Sequence, residues 1–306
     1  MKIIIAGGSG LIGRSLSQAL IQRGDEVWIL SRQPAATRQL NAAVSQPGIR
    51  AVQWDAKTAQ GWLDLAGQAD AVINLAGAGI GARPWTNERK RLIRSSRVES
   101  GQAILEAIQR SEHKPQVMLQ IAAVGYYGTV GDGPLDEHSP AGNDFLAGVA
   151  TDWENAIRPV TEQGVRLVVM RTGVVLSPQG GVLAPFILQN RLFVGGPLGN
   201  GRQWISWIHI RDLVRAFEFL LDHPEAQGAF NVTSPEPLTN ADFERAVSRV
   251  MRRPYWFPTP AFLLKAVLGE MSMMVLEGQR VLPGRLLEMG FQFEFPTLQA
   301  ALVDLL

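Results

Sequence analysis

The sequence predicts an α/β fold in which a doubly wound parallel sheet carries a smaller C-terminal lobe. Three observations carry that expectation. Short apolar, β-branched runs alternate with segments of helical period through the first two thirds of the chain. The first run, Ile3-Ile4-Ile5, is apolar at every position, as a strand covered on both faces must be. Directly after it Gly7-Gly8-Ser9-Gly10-Leu11-Ile12-Gly13 opens a helix.

The elements follow in order. A helix over residues 11–23 stops at Gly24, a residue free to take the left-handed conformation that ends helices. Strands are expected at 27–30, 51–54 and 71–75. A long helix starts after the N-cap Thr86, carries Leu92, Ile93, Val98, Ile104, Leu105 and Ile108, and ends before Pro115. A fifth strand at 117–122, a helix at 145–163 closed by Gly164 and a sixth strand at 166–170 continue the alternation. From Thr172 a glycine-punctuated, loop-rich stretch leaves the main sheet. The chain returns as a helix over 210–221 and a last strand at 230–232, and Thr239 with Asp242 makes a capping box for a helix to 251. Residues 1–235 are thus assigned to the main domain, with 172–205 contributing to the lobe, and 236–306 to the lobe itself.

Composition narrows the partners. With 46% hydrophobic residues, 19% charged and a net charge of +1, the chain has no field for polyanions, and no nucleic-acid partner is expected. Cysteine is absent, which removes disulfides and thiolate chemistry, and the four scattered histidines suggest no metal site. The opening apolar run is too short for a secretion signal and no stretch reaches membrane-spanning length, so a cytoplasmic or stromal protein without a membrane partner is expected. A homodimer stays open.

The glycine turn is the strongest signal. Its spacing reads as G-x-x-G-x-x-G and, one residue in, as G-x-G-x-x-G, placed between a strand and a helix as in a Rossmann-type dinucleotide site. Gly7, Gly10 and Gly13 permit the tight turn and the close approach of a pyrophosphate, while Leu11, Ile12 and Gly13 supply helix N-terminal amides. About 20 residues beyond such a turn an acidic residue would hold the ribose of NAD. This chain has Ser31-Arg32 there, and a guanidinium can grip a 2′-phosphate, so NADP(H) is the expected cofactor, the alternative for Arg32 being a solvated loop charge. Asp55 is either an acceptor for the adenine amino group or a loop-capping aspartate, and Asn74-Leu75-Ala76 should border the cofactor at the end of the fourth strand.

These motifs, with Tyr126-Tyr127-Gly128 and Ile208-His209-Ile210-Arg211-Asp212, resemble the extended short-chain dehydrogenases/reductases. Trp153-Glu154, residues 171–176, 195–201, 206–209 and 276–281 are similar to the atypical "epimerase family" subgroup, a resemblance that spans nearly the whole chain. It implies that Arg91, Ser96 and Val174 touch NADP(H) alongside Ser31, Arg32, Asn74 and Leu75, and that a small C-terminal domain of unknown role covers about 254–301. It further implies a reductase or epimerase acting on a small carbonyl or sugar-like substrate. Because relatives have been linked to plastid and cyanobacterial division, the resemblance equally implies a non-catalytic NADPH-binding regulator.

The superfamily moves its proton with a Tyr-x-x-x-Lys pair and a Ser or Thr at the fifth strand's end. Here no lysine stands four residues after Tyr126, Tyr127 or Tyr255, alignment on Glu154 puts Leu146 and Ala150 at the pair's positions, and the strand ends in Ala122-Ala123. An aliphatic side chain cannot titrate. Candidate substitutes are Tyr126 and Tyr127, at least one of which is expected to pack in the core, and His209, which is equally readable as a structural cap. Glu137 is a further candidate, a general acid or base if desolvated and otherwise a solvated loop charge, while Trp204 and Trp207 either wall a planar or sugar ligand or fill the core.

Overall fold

The computed structural model describes residues 1–34, 49–129 and 131–306. The apolar run forms β1 (Lys2–Ala6), and the glycine turn leads into α1 (Leu11–Gln22), which ends ahead of Gly24 at φ 97°. Strands β2 (Glu26–Ser31) and β3 (Ile49–Gln53) follow, then the short α2 (Leu63–Ala66) and β4 (Ala71–Asn74). Thr86 caps α3 (Asn87–Arg110) by accepting from the Arg89 amide, as its side chain predicts. After β5 (Val117–Ala123) a single 3₁₀ turn holds Tyr126 and Tyr127, and β6 (Pro134–Leu135) is a two-residue strand beyond it.

The helix expected over 145–163 is two pieces: α4 (Phe145–Ile157), capped by Asp144, and a 3₁₀ segment to Gln163. Pro159 is the cause, since it brings no amide to the α-helical ladder. Strand β7 (Arg166–Thr172) leads into the stretch expected to be mostly loop, which instead contains β8 (Val174–Ser177), β9 (Gly180–Gly181) and α5 (Leu183–Arg191). Then come β10 (Trp204–Ile205), β11 (Trp207–His209), α6 (Ile210–Asp222), β12 (Gly228–Val232), β13 (Leu238–Thr239) and α7 (Asn240–Val250). The tail supplies α8 (Ala261–Leu268), α9 (Met273–Leu276), β14 (Arg280–Val281), α10 (Gly284–Glu288) and α11 (Leu298–Leu305).

Seven strands form the main sheet in the order β3-β2-β1-β4-β5-β7-β12, every neighbouring pair parallel. One face is covered by α1 and α6, with Leu16, Leu20, Leu213 and Phe217 packed on Ile3, Ile5 and Leu119. The other meets α3, where Ile104 and Ile108 pack on Ile4, Val72 and Met118. The strand order reverses between β1 and β4, which opens a crevice at their carboxyl ends. Among the described residues no helix is long and apolar enough to cross a membrane.

The lobe has its own core, in which Leu176, Phe186 and Trp207 meet Phe243, Val247 and Leu302. Leu286 and Phe291, although late in the chain, pack instead into the main core. A polar knot joins α5 to α7: the buried Glu244 carboxylate accepts from Gln189 Nε2 at 2.6 Å and Asn190 Nδ2 at 3.1 Å. Burial pushes this carboxyl up to about 7, against the pull of those two amides. A folded-state value above the ordinary 4.5 means the native protein binds this proton more tightly than the unfolded chain. Stability should therefore fall as pH rises from about 4.5 to about 7, by up to roughly 3 kcal/mol. Melting curves across that window should show the decline in the native chain and a flatter profile in Glu244→Gln; identical slopes would refute the assignment.

Candidate functional site

The glycine turn is built as a cradle. Gly7 takes φ 80°, and a Cβ there would lie 2.8 Å from the Leu75 carbonyl carbon. A Cβ on Gly13 would lie 2.5 Å from Gly8 Cα, so any larger residue would force α1 off the turn. Gly10 caps α1 without a side-chain hydrogen bond, and its own Cβ would touch nothing tighter than the Gly7 carbonyl at 3.4 Å. The first-turn amides of Leu11, Ile12 and Gly13 thus end a helix whose positive dipole end suits an anion. A diphosphate fits this construction, since the positions where a side chain would intrude are the ones held by glycine.

The end of β4 forms the crevice's other wall. Asn74 is fully buried and its side chain is spent internally, donating to Gln120 Oε1 at 3.0 Å and accepting from the Ala76 amide at 3.0 Å. Its contribution is to fold Leu75 and Ala76 under the turn, not to reach a ligand with its own amide. Ser96 on α3 accepts from the Ala78 amide at 3.0 Å, tying this segment to the helix, while Arg91 is exposed one turn earlier. Arg97, missed in the sequence, is buried with its guanidinium 4.7 Å from the Trp153 ring and donates to the carbonyls of Ala78 and Ile93. Burial, then the charge of Arg89, brings it down to about 10. Arg89 in turn donates to the Gly79 carbonyl. Val174, at the start of β8, is held by its amide to the Ser206 carbonyl at 2.8 Å.

At the end of β2, Ser31 is buried and accepts from the Gln33 amide at 3.1 Å, whereas Arg32 is exposed. Asp55 makes the bonds of a loop cap, accepting from the Lys57 and Thr58 amides at 2.8 and 2.9 Å and from the Thr58 hydroxyl at 2.9 Å. These bonds outweigh its slight burial and hold the carboxyl below its usual range.

The two tyrosines part company. Tyr127 is fully buried, donating to Asn231 Oδ1 at 2.6 Å and accepting from Arg171 at 3.2 Å, and burial pushes its phenol up to about 12 despite the nearby guanidinium. Buried and bonded on both sides, Tyr127 takes the core position that the sequence allowed for at least one of the pair. Tyr126 is half-buried at the carboxyl end of β5, its ring centre 3.4 Å from the Arg171 guanidinium carbon. Arg171 is itself locked by a bidentate pair with Glu154, at 2.9 and 3.0 Å. Burial opposes the guanidinium's charge, but Glu154 and Tyr127 together hold it above its ordinary range. This buried pair went unread in the sequence. Its signal was there, a carboxylate among the buried positions of an amphipathic helix and an arginine within a buried strand.

Of the remaining candidates, Glu137 shares Asn231 with Tyr127. His209 is buried at the N-terminus of α6, where Nδ1 accepts from the Arg211 amide at 3.0 Å and the ring stacks on Phe295 at 3.9 Å. Burial lowers its pKa, with Asp304, 3.2 Å from Nε2, pulling the other way. Of the two readings the sequence allowed, this geometry is that of the helix cap. Glu137 Oε1 accepts from the Asn231 and Arg285 amides at 3.0 and 3.2 Å, fastening β12 to α10. Trp207 is core, donating to the Glu236 carbonyl at 2.8 Å, and Trp204 stacks with Arg280 at 4.8 Å. Leu146 stands beside Gly125, and Ala150 is buried, so the positions of the proton relay are filled by packing. Among the described residues no cluster of acids and histidines could hold a metal.

Comparison with known proteins agrees with this geometry. The NAD dependent epimerase/dehydratase family matches residues 3–233, and a domain of unknown function, DUF1731, matches 259–305. The chloroplastic SDR39U1 homolog of Arabidopsis thaliana, an epimerase family protein, is 39% identical over 304 residues, covering 99% of this chain and 86% of the relative. The epimerase family protein YfhF of Bacillus subtilis is 36% identical, covering 100% of this chain and 98% of its own. The crystal structure of human epimerase family protein SDR39U1 with NADPH superposes with a TM-score of 0.86 at 34% identity, over 100% of this chain and 99% of that one. The UDP-glucuronic acid 4-epimerase of Bacillus cereus, at 17% identity and a TM-score of 0.80, shares the fold. With the family matched over residues 3–233, which hold the glycine turn and the parallel sheet, the chain belongs to the NAD dependent epimerase/dehydratase family.

Proposed function

We propose that the chain binds NADP(H) across the glycine turn and uses it in oxidoreduction or epimerisation of a small carbonyl or sugar-like substrate in the cytoplasm. The observation that carries this reading is the cradle itself, where Gly7, Gly8 and Gly13 have no room for a Cβ against backbone or core while α1 presents its amides. The NADPH bound by the human relative supports it. So does the exposed Arg32, which favours the phosphorylated coenzyme at the end of β2. When bound, the nicotinamide supplies a hydride to a carbonyl carbon. The protein's part is to bind and orient the substrate, exclude water and deliver a proton to the oxygen. Leu146 and Ala150 cannot do the last, and Tyr126, its ring against Arg171, is the hydroxyl at the strand end that can donate.

The same aliphatic pair favours a second reading, a non-catalytic NADPH-binding regulator such as one of cell or plastid division. Two measurements separate them. Tryptophan-fluorescence titration should show NADPH binding tighter than NADH, and failure to bind either would overturn both readings. Nicotinamide absorbance should then fall with some member of a carbonyl panel, and Tyr126→Phe should reduce that turnover on the order of 100-fold with NADPH affinity unchanged. Tight binding without turnover across the panel supports the regulator.

A further inference from the structure

We propose that the lobe presents a peripheral membrane-docking face that binds anionic lipid bilayers. The face begins with α8, whose sequence AFLLKAVL is almost wholly apolar although none of its residues is buried. Phe262 is 69% exposed and Val267 81%, and on the turn just before the helix Trp256 is 57% and Phe257 86% exposed. Soluble surfaces scatter single apolar residues, but large rings gathered on one element mark a contact that folding has not made.

The face continues onto a second stretch of chain. Leu192, Phe193 and Val194, just beyond α5, are also exposed, and backbone hydrogen bonds from Trp256 to Gly195 and from Thr259 to Pro197, both 2.8 Å, lay the two stretches side by side. The Arg253 guanidinium sits 4.6 Å from the Phe193 ring centre, joining them by a side-chain contact as well. Phe193 and Arg252 have φ of 60° and 55°, two of the three non-glycine residues in the left-handed region among the described residues. A bulky residue held there costs about 1 kcal/mol or more, and for Phe193 folding returns little, because its ring is left in solvent.

Charge selects the occupant. Residues 182–200 and 249–269 contain Arg191, Arg249, Arg252, Arg253 and Lys265 and no acidic residue. The whole chain has a net charge of +1, so everything outside this face carries −4. A face of exposed tryptophan and phenylalanine on two stretches whose only charges are basic matches the boundary of an anionic bilayer. Amphipathic rings settle at headgroup level, long basic stems lie over the apolar surface, and their charges meet lipid phosphates. Since no helix among the described residues is long and apolar enough to span, the contact is one of surface insertion.

The test is co-sedimentation of the full chain with vesicles of phosphatidylcholine alone or mixed with phosphatidylglycerol. The protein should pellet with the anionic vesicles and largely leave them at high salt. Phe257→Ser/Phe262→Ser and Arg252→Gln/Arg253→Gln should each lower the partition coefficient roughly tenfold or more, with the melting temperature and NADPH titration unchanged. Equal binding to both vesicle types, no binding, or loss of neither variant's affinity would overturn the proposal. So would sedimentation velocity showing a dimer that Phe257→Ser/Phe262→Ser dissolves, because the face would then belong to a second copy.

Discussion

Exchange of Arg32 for glutamate is expected to reverse coenzyme choice, lowering NADPH affinity roughly 100-fold while leaving NADH within a few-fold of its original value. Hydrogen bonds to charged groups contribute about 1.5–3 kcal/mol each, and each 1.4 kcal/mol is a factor of ten in affinity. Loss of the guanidinium removes this contribution, and a carboxylate adds repulsion toward the 2′-phosphate while offering the ribose hydroxyls of NADH an acceptor. Arg32→Ala should give the first effect without the second. Because Arg32 is exposed, neither variant should change the melting temperature appreciably, which separates a lost contact from a lost fold. A ratio of NADPH to NADH affinity that stays constant across all three proteins would remove Arg32 from the site.

The second large effect concerns stability. Arg171→Met should destabilise the protein by about 3–5 kcal/mol, because it leaves the Glu154 carboxylate buried and alone. At the size of this chain that corresponds to a fall in melting temperature of roughly 10 °C. The double variant Glu154→Leu/Arg171→Met should recover much of the loss, since replacing both members of a buried pair with apolar groups leaves no charge stranded. Scanning calorimetry of the two singles and the double decides the matter. A double variant as unstable as Arg171→Met would mean that the guanidinium acts through Tyr126 and Tyr127 and not through Glu154.

Much of the main sheet was legible because its signals are local. A strand covered on both faces must be apolar throughout, Thr86 has the acceptor that caps α3, and Gly24 and Gly164 mark helix ends in the left-handed region. What escaped depends on contacts distant in sequence. That the Asn74 amide is occupied by Gln120 shows only once the neighbouring strand is in place. Whether His209 caps its helix or faces a cleft, both readable in the sequence, turns on Phe295 and Asp304, which arrive from the far end of the chain. The apolar face on the lobe is assembled from two stretches, neither long enough to stand out in the sequence on its own. Helix α5 was hidden by Pro185 in its first turn and by the glycines around it, although proline is tolerated at that end of a helix.

The return of the C-terminal stretch to the main sheet has a consequence for how the chain is made. Arg285 donates to the Gln227 and Ala229 carbonyls of the edge strand β12 at 2.9 and 2.7 Å and lies 4.0 Å from the Phe230 ring, while Leu286 and Phe291 fill the layer beneath. An outer strand left with free carbonyls is a template for pairing with another molecule. During synthesis β12 leaves the ribosome well before the segment that shields it, so the nascent protein passes through an interval in which its sheet is formed but unsealed. Until that segment arrives, the β12 edge is open to pairing with another molecule.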